Sequence, residues 1–107
     1  MKRPGKSWHE EAWRRRGAEL LRDDGLLRGN ISVRRRVCGK AACRCAQGAR
    51  HEAMYVVYGA AGRTVQLYVP KEWEERVRRW VQRYGEAREL LDRLSGLHAA
   101  KVRRRRE

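Results

Sequence analysis

The chain has 107 residues, 27 basic against 13 acidic side chains, a formal net charge of +14 and no phenylalanine. So few residues make one small domain with little room for a large core. So strong a positive field disfavours cationic partners and points to a polyanion, of which nucleic acid is the commonest in a cell. No apolar run approaches membrane-spanning length, and the basic start MKRPGKSWHEEAWRRR has no apolar h-region, so neither a membrane nor a signal peptide is expected and the cytoplasm is.

Arginine supplies 22 of the 27 basic residues. Its flat fork suits phosphate and guanine edges, whereas lysine acts as a point charge. A GC-rich genome would explain arginine over lysine but not the excess over acids. The excess is spread: residues 1–37 carry +6, residues 38–70 carry +3 and residues 71–107 carry +5.

Residues 1–29 read as a basic N-terminal helix and its exit. Ser7 and Glu10 have the spacing of a capping box. Trp8, Trp13, Gly17, Leu20 and Leu21 recur at helical spacing to about Leu21, and Asp23-Asp24-Gly25 stops the run. Residues 30–70 read as a zinc knuckle within a β core. Ile31, Val33 and Val37 alternate with polar residues as in a half-buried strand, which sets Arg34 and Arg36 on the opposite face and Arg35 on the apolar side.

The segment CGKAACRCAQGARH follows, a C-x4-C-x-C-x5-H arrangement of Cys38, Cys43, Cys45 and His51. Thiolates and imidazole suit zinc, and a closed set of four is structural because no position is left for water. Such a site would stabilise a chain too small to rely on its apolar core. Three unrelated buried thiols are the bland alternative, and the odd count disfavours a disulfide.

Met54–Tyr58 and Thr64–Val69 are β-rich runs around Gly59-Ala60-Ala61-Gly62, which predicts a hairpin with Val65, Leu67 and Val69 on one face. Pro70 ends the sheet. Residues 71–102 then read as one amphipathic helix in which Trp73, Val77, Trp80, Tyr84, Ala87, Leu91, Leu94 and His98 form a heptad seam. Gly85 and Gly96 are points where it is expected to kink or end. At about 48 Å it exceeds a compact domain, so part of the seam must find a partner. The Trp73–Tyr84 end is expected to pack within the chain. Leu90, Leu91, Leu94 and Leu97 are expected to meet a second copy or a larger nucleoprotein assembly. Residues 103–107 read as a basic tail, with Arg103, Arg104, Arg105 and Arg106 disordered until they meet an anion. The fold class is therefore α+β: an N-terminal helix, a small three-stranded antiparallel sheet with a zinc knuckle between its first and second strands, and a long C-terminal helix.

The stretch LRGNISVRRRVCGKAACRCAQGARH, the tyrosine hairpin and YVPKEWEERVRRWVQRYGEARELLDRL resemble a family of small basic prokaryotic proteins defined only as a domain of unknown function. The knuckle and the V-P-K-E step carry the resemblance, which covers about two thirds of the chain. Where the family pattern has glycine-proline after the histidine, this chain has Glu52-Ala53. The resemblance implies the domain limits and the metal motif, and members often carry a transposon-related label that says nothing of chemistry.

Catalysis is not expected, nor a small-molecule substrate. The acids Glu72, Glu74, Glu75, Glu86, Glu89 and Asp92 lie on the long helix among arginines at i,i+4 spacing. Asp23 and Asp24 sit in a turn, His9 and His98 show no carboxylate partner, and Glu52 is the lone acid between residues 30 and 70, far short of a two-metal site. The reading is a zinc-stabilised module that binds DNA or RNA, with Arg34, Arg36, Lys40, Arg44, Arg50 and Arg63 lining one basic surface and Tyr55, Tyr58 and Tyr68 available for packing or base stacking. The alternative is an assembly subunit that docks through its long helix onto a larger nucleoprotein complex.

Overall fold

Alternation of apolar and polar residues produces three strands, β1 (Asn30–Arg36), β2 (His51–Ala60) and β3 (Arg63–Val69). They form one antiparallel sheet in the order β1-β2-β3. The structure, a computed structural model, describes residues 8–36 and 51–105, and the side chains of all of these except Arg36 and His51. Two helices complete the fold, α1 (Trp8–Asp23) and α2 (Glu74–Arg104), the second preceded by a 3-10 turn at Lys71–Trp73. The fold is α+β, with the helix, sheet and helix in the expected order. The knuckle segment lies outside the described residues, as does Ser7, the expected cap of α1.

The hairpin is longer and tighter than its sequence implies. Gly59 and Ala60, expected in the turn, pair with Thr64 and Arg63. Only Ala61 and Gly62 connect the strands, both at positive φ (52° and 77°). That two-residue geometry matches the twist of the flanking strands, which a longer loop would not enforce. At the lead into β1, Gly29 has φ 144°, and a Cβ there would stand 2.5 Å from Val56 Cγ1 and 3.0 Å from the Val57 carbonyl oxygen. Only glycine lets the chain pass β2 this closely.

By contact the chain divides into two units, residues 27–81 and the remainder. In the first, one sheet face supplies the core. Met54, Val56 and Val69 meet Val77 of α2, and all four are at most 5% exposed. Leu27, Ile31, Tyr58 and Val81 surround them. Each enclosed aliphatic side chain contributes about 2 kcal/mol. The Leu27 N–H donates to the Trp80 carbonyl at 3.2 Å, tying the approach to β1 to the first turns of α2.

In the second unit α1 runs antiparallel to the distal part of α2. Leu20 and Leu90 are enclosed between them. Arg83 donates to the carbonyl oxygens of Glu19 (3.3 Å) and Leu20 (2.6 Å), satisfying acceptors that the last turn of a helix leaves open. Arg16 holds Glu86 with two parallel hydrogen bonds of 2.7 and 3.0 Å. Neither Gly85 nor Gly96 ends α2, because the helix continues through both to Arg104. Arg103 and Arg104, expected in a disordered tail, are helical, where cations complement the C-terminal dipole.

Candidate nucleic-acid interface

The pleat divides the side chains of the sheet strictly. The ladder pairs Ser32 with Tyr55 and Tyr55 with Tyr68, so these residues share the face opposite Met54 and Val56. Arg34 joins them: its guanidinium carbon lies 4.5 Å from the centre of the Tyr55 ring. Tyr55 and Tyr68 meet edge to face with centroids 5.8 Å apart. Tyr68 is 54% exposed, whereas Tyr58, on the other face, packs against the core. The three tyrosines that the sequence left equivalent are thus separated into two outward rings and one inward ring.

Charge is sorted in the same way. Glu52 is the single acid of the three strands. It stands on the core-side face beside Arg35, its ladder partner, at 2.9 Å. The outward face therefore carries Arg34 with no carboxylate among the described residues. A guanidinium lying on an aromatic ring keeps its charge and its donor edge.

Of the other residues assigned to one basic surface, the register separates Arg63. It pairs with Ala60, seven residues along β2 from Ala53, the partner of Arg34. That is about 23 Å away, and on the opposite face. Arg36 pairs with His51 at the last rung of the β1–β2 ladder, so those two strand ends lie about 5 Å apart. Lys40, Arg44 and Arg50 lie outside the described residues, as do Cys38, Cys43, Cys45 and Arg106. The donor set, three thiols and an imidazole whose backbone begins β2, fits a four-coordinate zinc. Among the described residues no three His, Cys, Asp or Glu side chains are gathered to hold a metal ion. Nor is any described helix long and apolar enough to cross a membrane. Arg103, Arg104 and Arg105 are exposed at the end of α2.

The leucine band divides. Leu90, assigned to a partner interface, is 6% exposed and already enclosed within the chain, whereas Leu91 is 65% exposed. Leu94 and Leu97 are half-buried. With Trp13, Gly17 and Leu21 of α1, Leu90, Leu91 and Leu94 line an open groove of about 320 Å³.

Two ion-pair clusters of α1 and α2 join residues distant in sequence. Glu10, on the third residue of α1, is enclosed, with only 4% of its side chain exposed. Arg14 Nε donates to it at 3.0 Å, His98 Nε2 lies at 3.3 Å and Lys101 Nζ at 3.5 Å. Burial pushes the Glu10 carboxyl up, but the hydrogen bonds from Arg14 and His98 and the charge of Lys101 outweigh it, and the net shift is downward. His98 thus has the carboxylate partner that its own surroundings in sequence did not reveal. Only Arg14, four residues on, was legible as a partner. The hydrogen bonds of Arg16 likewise hold the Glu86 carboxyl below its ordinary range. In the other unit Arg76 lies 4.2 Å over Trp73, which meets Trp80 edge to face at 6.0 Å. Arg28 donates to the Gly59 carbonyl at 2.7 Å and covers the Tyr58 ring.

A protein-family model described as a domain of unknown function (DUF6788) matches residues 9–79, which take in α1 from its second residue, all three strands and the start of α2. No match to the chain is found among curated proteins or solved structures.

Proposed function

This chain belongs to the DUF6788 family, a domain of unknown function, and from its charge and its sheet face we propose that it is a zinc-stabilised nucleic-acid-binding protein of the cytoplasm, an accessory factor of a mobile-element or ribonucleoprotein transaction. The observation that carries the reading is the outward sheet face, where Arg34, Tyr55 and Tyr68 gather without a carboxylate among the described residues. Net charge of +14 supplies the attraction to a phosphate backbone.

In this reading Cys38, Cys43, Cys45 and His51 hold one zinc ion. The metal supplies no chemistry to a substrate, since four protein ligands leave no open position. It fixes the segment that carries Lys40, Arg44 and Arg50 beside the sheet end reached by Arg34 and Arg36. Ordering those side chains in advance lowers the entropy lost when they grip phosphates. Residues 30–70 form the binding core, and the arginines at the end of α2, with Arg106, add affinity without sequence preference.

A gel-shift titration at two salt concentrations tests the reading. Affinity falls with salt by about 0.7 log units per log unit for each phosphate neutralised on a single strand, and about 0.9 on a duplex. Arg34→Ala/Arg36→Ala/Arg44→Ala should weaken binding and flatten that slope by about two to three. An unchanged affinity and slope would remove this face from consideration.

The exposed Leu91 and the groove beside it favour a second reading, an assembly subunit that docks through α2. Docking through leucines would respond little to salt, which separates the two.

A further inference from the structure

Resting on the nucleic-acid reading above, we infer that the outward sheet face is a stacking platform for unpaired bases, and that its ligand is a single-stranded nucleic acid. Two surfaces on it are open to a flat ring. One is Tyr68, 54% exposed on β3. The other is the exposed guanidinium of Arg34 on β1, whose Cζ lies 4.5 Å from the centre of the Tyr55 ring. Tyr55 lies between them and holds both, through the cation–π contact on one side and the edge-to-face contact on the other.

A purely structural tyrosine pair needs no cation above it and no clearance of acids around it. Here the one strand carboxylate sits across the sheet and is bonded to Arg35, not Arg34. Neighbouring arginines in one strand therefore have different roles. Arg35 has its counter-ion in Glu52, whereas Arg34 faces no carboxylate among the described residues of the sheet. A phosphate can pair with it, and a base can lie on the same guanidinium plane.

The state of the ligand follows from the shape of the face. In a duplex the π-faces of bases are covered by their neighbours, so only unpaired bases can lie on a ring. From β1 to β3 the platform spans two strand spacings, about 10 Å, room for two bases side by side. Duplex phosphates can still meet the positive field, but without the stacking contribution.

The test is fluorescence anisotropy of the full chain with four labelled ligands at one salt concentration. These are dT12, rU12, an abasic 12-unit deoxyribose-phosphate strand and a 12-base-pair duplex. The expected result is that dT12 or rU12 binds more tightly than both the abasic strand and the duplex. Tyr68→Leu, at an exposed position where folding is checked by circular dichroism, should lower affinity for the single strands by about 5-fold to about 150-fold. It should leave their salt slope and the abasic affinity unchanged. Arg34→Gln should weaken every ligand and flatten the slope by about one. Tight binding of either sugar supports the inference, and the ratio of the two distinguishes DNA from RNA. If the abasic strand binds as tightly as dT12 and rU12, or if Tyr68→Leu has no effect, the stacking platform is overturned while phosphate binding stands. If no nucleic acid binds, both fall together.

Discussion

Replacement of Gly29 by alanine isolates the contact that sets the start of β1, and with it the face on which Arg34 stands. The backbone there has φ 144°, and the added Cβ would meet Val56 Cγ1 at 2.5 Å and the Val57 carbonyl at 3.0 Å. Val56 is 0% exposed and pinned in the core, so it has nowhere to move. The forbidden backbone region costs about 1–3 kcal/mol and overpacking about 1–3 kcal/mol more, giving about 2–6 kcal/mol. Gly62→Ala is the control. Its φ is 77°, and a Cβ there meets nothing within 4 Å, so it carries only the left-handed penalty of about 1–2 kcal/mol. Urea denaturation followed by circular dichroism and tryptophan fluorescence compares the two. For a chain this size the melting temperature falls by roughly 4–8 °C per kcal/mol, so in a thermal scan Gly29→Ala should melt at least about 8 °C lower. Equal losses in the two variants would refute the close approach of Gly29 to β2.

Glu10→Gln tests the enclosed carboxylate. A carboxyl whose folded pKa lies below its ordinary 4.5 contributes stability that is present above that value and is lost as pH falls through the lowered one. The difference between wild type and Glu10→Gln in denaturant midpoint should therefore be largest near neutrality and should narrow in acid; a gap independent of pH would contradict the cluster with Arg14, His98 and Lys101. Elemental analysis of protein purified without chelator should find one zinc per chain. Cys43→Ser should lose most of it and lower the melting temperature, and a zinc content near zero in the wild type would end the knuckle reading. Leu91→Glu, at a 65% exposed position, should reduce a dimer to the 12.6 kDa monomer by light scattering without loss of helix, and a wild-type mass already at 12.6 kDa would show that no copy covers that surface. Gly85→Ala and Gly96→Ala meet nothing with their added Cβ atoms and should each stabilise α2 by about 0.5–1 kcal/mol.

Periodicity by itself determined the elements of this protein. A period of two between Asn30 and Arg36 and again through the hairpin, a period near 3.6 after Pro70, and the turn residues between them are local signals, because each depends on neighbours within a few positions. The same alternation placed Arg34 opposite Ile31. The proposed ligand set, Cys38, Cys43, Cys45 and His51, is also written locally, in four residues within fourteen. Tertiary structure decided what distance in sequence concealed. Glu10 and His98 are 88 positions apart and Arg16 and Glu86 are 70 apart, so no window could pair them. The assignment of Tyr58 to the core and of Tyr55 and Tyr68 to the outside required the register, since a one-residue slip would exchange them. Leu90 and Leu91, neighbours of equal hydrophobicity, differ only because α1 covers one side of α2 and leaves the other bare. Composition states that the chain must bury leucines, but only the partner surface selects which.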